Sequence, residues 1–313
     1  MSLQDQLNVT SSQAECDASE EEARIAAQKA VGKRRRALAI AAPILVACIA
    51  FLIVLMTRII PGQKLSRAKT LIDSGEYRAA YVLLDGIDYK NSRELQESIK
   101  PQYQIALLSE AEIGSSVFFG SYEQDNDASD GKEDIEWIVL AKEDDRALVI
   151  SKYALDAKQY DLSKSDVTWE TCTLRTWLNG PFLSAFRAEE RNCILDAAVT
   201  ADTNPSHSTS PGNDPTDKLF LLSVTEGNRY FSSDEARKCE PTAYAKAHDV
   251  WKSSPKITDG RVTCWWWLRS PGSLSDHAVL VRPHGSLEID GRGVYNILGG
   301  IRPAMWIDLS AGH

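Results

Sequence analysis

The residues best suited to chemistry run from Asp125 to Glu136. Asp125, Asp127, Ser129 and Glu136 stand at the first, third, fifth and twelfth positions of a calcium-binding loop, where alternate oxygen ligands wrap one cation. The pattern then fails. Gly131 falls seventh rather than sixth, Lys132 replaces the apolar eighth residue, and Glu136 lies inside an apparent strand instead of opening a helix. A polar hairpin loop is the better account, with Asp125, Asp127 and Asp130 as the candidate cation ligands.

A second group is Trp265-Trp266-Trp267, followed by Arg269, with Arg302 behind a later apolar run. In a strand, Trp265 and Trp267 share one face and Trp266 takes the other. Each ring can bury on the order of 200 Å², so the expectation is a sheet covered on both sides. An exposed platform for stacking sugar rings is the functional alternative, with Trp266 as its candidate. A buried arginine needs a carboxylate or carbonyl partners, and that structural role is the default for Arg269 and Arg302. The alternative for either is to hold an anionic ligand.

Other reactive types are scattered. His207, His248, His277, His284 and His313 show no H-x-H or H-x-x-x-H spacing, which argues against zinc. Ser270 in Arg-Ser-Pro-Gly reads as a turn residue, and there is no G-x-S-x-G elbow. No phosphate loop or dinucleotide fingerprint occurs, so no cofactor is implied. Of six cysteines, Cys16 and Cys48 precede the folded region. Cys172, Cys193, Cys239 and Cys264 suit two bridges in any of three connectivities, or isolated buried thiols, equally well.

The elements that position these residues begin with an apolar run. Residues 37–56 carry no charge, follow Lys33-Arg34-Arg35-Arg36, and end before Thr57-Arg58. As a helix the run spans about 30 Å, the thickness of a bilayer core. A cleaved signal peptide has a shorter apolar core and a small-residue cleavage site, which this run lacks. A lipoprotein signal would turn polar after its cysteine, yet the chain stays apolar from Ile49 to Met56. A single-pass anchor is the reading, with residues 1–36 as a disordered cytoplasmic tail and a span at 37–57. The basic cluster puts the tail inside and the remainder outside.

Residues 61–313 carry 28 basic against 38 acidic residues. That balance disfavours nucleic acid and anionic lipid as partners. From 65 to 112 the apolar period is helical, with breaks at Ser74-Gly75 and Asp85-Gly86 and a kink at Pro101. After Gly114 the period becomes two. Strands are expected at 117–122, 135–140 and 147–150, short helices at 174–178, 189–195, 224–230 and 242–247, and a long loop at 202–217. A C-terminal meander of four strands, at 265–269, 278–282, 286–289 and 294–297, leads to a closing segment at 301–309. The fold class is α+β over 114–310.

Four stretches carry a resemblance: Phe119-Gly120-Ser121-Tyr122-Glu123-Gln124, Leu174-Arg175-Thr176-Trp177-Leu178-Asn179, Trp266-Trp267-Leu268-Arg269-Ser270-Pro271-Gly272 and Gly300-Ile301-Arg302-Pro303-Ala304. They resemble a bacterial domain-of-unknown-function family found in surface proteins, sometimes behind a membrane span and tetratricopeptide-like helices. Gly75 to Ala80 with Leu84 resembles the second helix of such a repeat, which implies a spacer at 65–112. The ending resembles, more distantly, C-type-lectin-like domains and formylglycine-generating enzymes. That implies a lectin-like mixed sheet in which the last strand lies beside the first. The enzyme's chemistry does not carry over, because its cysteine pair cannot be placed on the cysteines here.

Two functions of different class follow. The leading one is a membrane-anchored extracellular binding module for a glycan, wall polymer or protein, its functional residues in the loops 160–172 and 202–217. The rival is a surface enzyme of formylglycine-generating or hydrolase type. A structural or sensory ectodomain without a small ligand is the third option.

Overall fold

The computed structural model describes residues 3–254 and 260–310, with side chains described from residue 19 onward. The chain divides into two compact units. One is Met1–Ser66 with Ile87–Ser92, and the other is Arg67–Gly86 with Arg93–His313.

Helix α1 covers Leu3–Val54 with Pro43 inside it, and passes through one wider turn at Leu55–Ile59 into α2, Ile60–Asp73. The tail, expected to be disordered, is helical from Leu3. Its Ala and Glu content and the absence of proline before Pro43 permit this. The stretch Ser19–Asp73 is one helix long and apolar enough to cross a membrane, and its apolar window is unburied. The same length and composition suit a signal sequence. Cys16 and His313 lie outside the described side chains.

Helices α3 (Tyr77–Leu84), α4 (Ser92–Ser98) and α5 (Lys100–Glu110) follow the expected breaks. Gly75, at φ +78°, ends the preceding helix, and Pro101 opens α5 instead of kinking a longer helix. Tyr81 on α3 and Tyr103 on α5 stack with centroids 4.0 Å apart. Lys142 Nζ donates to the Ser109 carbonyl at 2.8 Å, and Lys100 pairs with Asp134 at 3.0 Å. Helix α5 is thereby fastened to the sheet that follows.

Strands β1 (Ser116–Tyr122), β2 (Glu133–Glu143), β3 (Arg146–Ser151) and β4 (Asp156–Ala157) come next. Then follow α6 (Thr173–Leu178), α7 (Ala188–Cys193), β5 (Ala197–Ala198), β6 (Thr216–Asp217), α8 (Val224–Tyr230), α9 (Asp234–Arg237) and α10 (Ala243–Ala247). The chain closes with β7 (Trp266–Pro271), β8 (His277–Val281), β9 (Leu287–Gly293), β10 (Gly300–Ile301) and β11 (Ala304–Asp308). The α+β class holds.

A four-stranded antiparallel sheet runs β1-β2-β3-β11, and a mixed five-stranded sheet runs β4-β10-β7-β8-β9. Period-two alternation sends Ile135, Trp137 and Val139 of β2 into the core. The first and last strands share one sheet, but β11 pairs with β3 (Met305 opposite Val149), not with β1. The first-beside-last arrangement is therefore not reproduced, because the β2–β3 hairpin lies between them.

Three strands, not four, form the C-terminal meander. Asp290-Gly291-Arg292 does not turn the chain: β9 continues to Gly293, which pairs with His277, and the register shifts between Ala278 and Leu280. Gly291 takes φ +76°, with Ala278 O only 2.6 Å from where a Cβ would sit. Glycine inside a strand marks such a bulge. Residues 294–297 then lie in turns rather than in a strand.

Candidate functional site

An open groove in the folded domain grows from β4. Asp156 pairs across to Ile301 of β10, and this fixes a carboxylate that is 2 % exposed. Its oxygens accept from the Tyr122 hydroxyl at 2.9 Å and the Ala157 N–H at 2.8 Å, and Lys158 Nζ lies 3.2 Å away. Burial, then the charge and hydrogen bond of Asp156, push the Tyr122 phenol far above its ordinary value, so it stays a neutral donor.

Lys158 Nζ also sits 4.5 Å from the centroid of the Trp177 ring. Trp177 is carried by α6, whose N-terminus is capped by Cys172: its Sγ accepts from Arg175 N–H at 3.4 Å. Leu174 and Leu178 face inward and leave Trp177 half-buried. The opposite wall comes from the end of α10. His248 N–H donates to Tyr244 O and Val250 N–H to Ala245 O, and between them Asp249 takes φ +64° to end the helix.

Between these walls lies an open groove of about 490 Å³, lined by Lys158, Leu162, Trp177, His248, Asp249 and Ile297 among others. Leu162 is 71 % exposed and Ile297 55 %, so two large aliphatic side chains stand in water beside a half-buried tryptophan. The set can offer a ring face, apolar contact, one ammonium and one free carboxylate. The lysine's charge is already met by Asp156.

The residues singled out in the sequence lie elsewhere. Trp266 is fully buried: its Nε1 donates to Arg237 O at 3.1 Å and its ring packs on Phe231. It presents no face to a sugar. Arg269 is 4 % exposed and forks onto both oxygens of Glu226 while donating to Thr200 O and Leu221 O. Arg302, 1 % exposed, donates to Ser151 O at 2.8 Å and lies 4.9 Å from the Trp266 ring centroid. Burial lowers its pKa, opposed by the thiols of Cys239 and Cys264. Neither arginine reaches a ligand from the surface.

In the acidic loop the carboxylates turn onto their own backbone. Asp125 accepts from Asp127 N–H at 2.8 Å, and Asp127 from the N–H and hydroxyl of Ser129. Glu123, Asp125 and Glu133 bring oxygens within 4.8 Å of one another, but Asp127 and Asp130 stand outside that group. Glu136 points away, to Lys152 at 2.8 Å. The hairpin-loop account explains every one of these bonds. Of the loops expected to carry function, 160–172 supplies Leu162 to the groove. In 202–217, Asn204 is buried and holds Pro271 O and Ile289 O.

No spacing signal marks the groove, because its residues come from four separate segments. Only Trp177, within a motif already noted, was visible as a large aromatic on a short helix.

The family model described as Domain of unknown function (DUF6273) matches residues 144–309, more than half of the 313. No curated protein and no solved structure matches the chain. The matched segment takes in the groove but omits β1 and β2, which complete the sheet begun by β3 and β11. Three of the four motifs of the resemblance fall inside it. The chain belongs to the DUF6273 family.

Proposed function

We propose that this chain is a membrane-anchored recognition module that holds a glycan or wall polymer in the groove at Trp177. One observation carries the reading: a half-buried indole and two exposed aliphatic side chains line an open cleft whose lysine is already neutralised. Uncharged sugar faces suit such a surface, since aromatic rings stack on them and the rim supplies polar contacts. The commitment of Lys158 to Asp156 and the neutral Tyr122 favour holding over acid–base chemistry, so the enzyme reading ranks second.

The N-terminal helix would serve as the anchor, with the tetrabasic cluster inside and the domain outside. The α2–α3 turn at Ser74-Gly75 and the buried Ala80 and Leu84 support a tetratricopeptide-like spacer. A shared sheet for β1 and β11 supports a lectin-like relationship, though with a different strand neighbour.

A soluble 61–313 fragment probed on an array of glycans and wall polymers tests the reading, alongside Trp177→Ala and the rim variants Leu162→Asp and Ile297→Asp. The expected result is a bound polymer, lost in the variants while the rim pair melts like the parent. Absence of any bound polymer, or binding indifferent to all three changes, overturns it. Protease added to intact cells should digest the domain and spare the tail.

A further inference from the structure

Cys239 and Cys264 face each other across an antiparallel bridge, at the two ends of the segment that carries one of the groove's walls. Cys264 N–H donates to Cys239 O at 2.8 Å. Directly paired antiparallel residues have Cα atoms about 4.5–5.5 Å apart, inside the window a disulfide requires. Both side chains are buried, at 1 % and 0 % exposure, in tight surroundings: a Cβ on Gly300 would lie 3.1 Å from Cys264 Sγ.

Cys239 Sγ itself donates to Lys152 O and Glu240 O at 3.7 Å, so the strand bridge and not a lack of contacts marks the pair. The other two cysteines sit at helix ends, Cys172 at the N-cap of α6 and Cys193 at the last position of α7. Cys172 caps α6 and donates to Trp169 O, and Cys193 donates to Glu189 O. Of the three connectivities open to four cysteines, the packing singles out one pair.

The closed loop has a function-bearing content. Residues 239–264 include α10 and His248-Asp249, one wall of the groove. Its two ends are also tied by Cys264 to Cys239 and by Thr242 N–H to Ala154 O. A covalent bond at 239–264 would hold the two ends of that segment together.

We propose that Cys239 and Cys264 close into a disulfide when the chain folds in the presence of a disulfide oxidant. The thiolate of one cysteine attacks a sulfur of the oxidant, which forms a mixed disulfide and expels one thiolate. The second cysteine, as its thiolate, attacks the protein sulfur of that mixed disulfide, forms the Cys239–Cys264 bond and expels the second thiolate. Two protein thiols are oxidised, one oxidant disulfide is reduced, and the two protons pass to the departing thiolates. Burial of both sulfurs in the finished fold places the step during folding. The pairing stands independently of what the groove binds.

The test uses the full chain in detergent, unfolded under reducing conditions and refolded with reduced glutathione and glutathione disulfide. Free thiols are then blocked and peptides mapped without reduction. The expected result is one linked pair, joining the peptide that starts at Cys239 to the one holding Cys264. Reductant should lower the melting temperature of the refolded domain by about 6–12 °C and leave that of Cys239→Ala/Cys264→Ala unmoved. If the double variant does not fold, the peptide map and the parent's response to reductant still decide. Fully blocked thiols at 239 and 264, or a link from either to Cys172 or Cys193, overturns the proposal.

Discussion

Trp267 Nε1 donates to the main-chain carbonyl of Lys158 at 3.0 Å, so the aromatic core grips the groove residue from behind. Trp265 and Trp267 meet edge to face at 4.8 Å, and Tyr160 packs on Trp267 at 5.7 Å. Trp267→Ala should cost about 3–5 kcal/mol, a large share of a domain's total of roughly 5–15 kcal/mol. The check is thermal melting followed by circular dichroism, with loss of a cooperative transition expected. A variant that melts like the parent would mean the ring does not carry the core.

Gly299 gives a second handle on the same contact. A Cβ there would lie 2.0 Å from Trp267 Nε1, closer than atoms can approach, so Gly299→Ala must displace the ring or the chain. A stability loss approaching that of Trp267→Ala is expected in the same melt, although the substitution adds only one methyl group.

Buried Arg269 forks onto the partly exposed carboxylate of Glu226. Glu226→Ala strands a guanidinium that is 4 % exposed, and should cost about 3–5 kcal/mol by denaturant unfolding. Replacing both partners by apolar residues of similar volume should recover most of that loss. Equal losses in the single and double variants would show that packing, not an unpaired charge, sets the cost.

Much of this architecture was legible because apolar periodicity and breakers act locally. The switch from helical period to alternation after Gly114, the short helix at 224–230 and the turn at Pro283-His284-Gly285 all depend on near neighbours. Gly291 misled for a physical reason: the same φ > 0 that makes glycine a turn residue also builds a bulge, and only the partner strand distinguishes them. Burial of Trp265 to Trp267 followed from area alone, whereas the exposure of Leu162 and Ile297 could not, since an apolar side chain in a loop is read as buried until the fold leaves it uncovered. Asp156 illustrates the limit, as its partners Tyr122 and Lys158 converge through sheet pairing and not through spacing.

The acidic loop makes a prediction about calcium. Because Asp125 and Asp127 already bond their own backbone and Glu136 is held by Lys152, millimolar calcium should leave the melting temperature unchanged. Selective binding to the folded state would raise it by an amount that grows with concentration. A concentration-dependent rise would restore Asp125 and Asp127 as ligands.

Glu136 contributes to the acid side of the stability profile. Burial pushes its carboxyl up, but hydrogen bonds from Lys152 and Ser116 and the charge of Lys152 outweigh this and leave it below the ordinary 4.5. A carboxylate whose folded pKa is depressed contributes stability that is fully present above its unfolded pKa and lost as pH falls through the folded one. The parent should therefore melt higher than Glu136→Gln at about pH 6, and the gap should close as the pH drops below about 4. Lys152 is partly exposed, so salt will screen the pair and narrow the gap at about pH 6 as well. Melting both proteins across this range at two ionic strengths checks the sign. A gap that widens on acidification would mean that burial, not Lys152, governs Glu136.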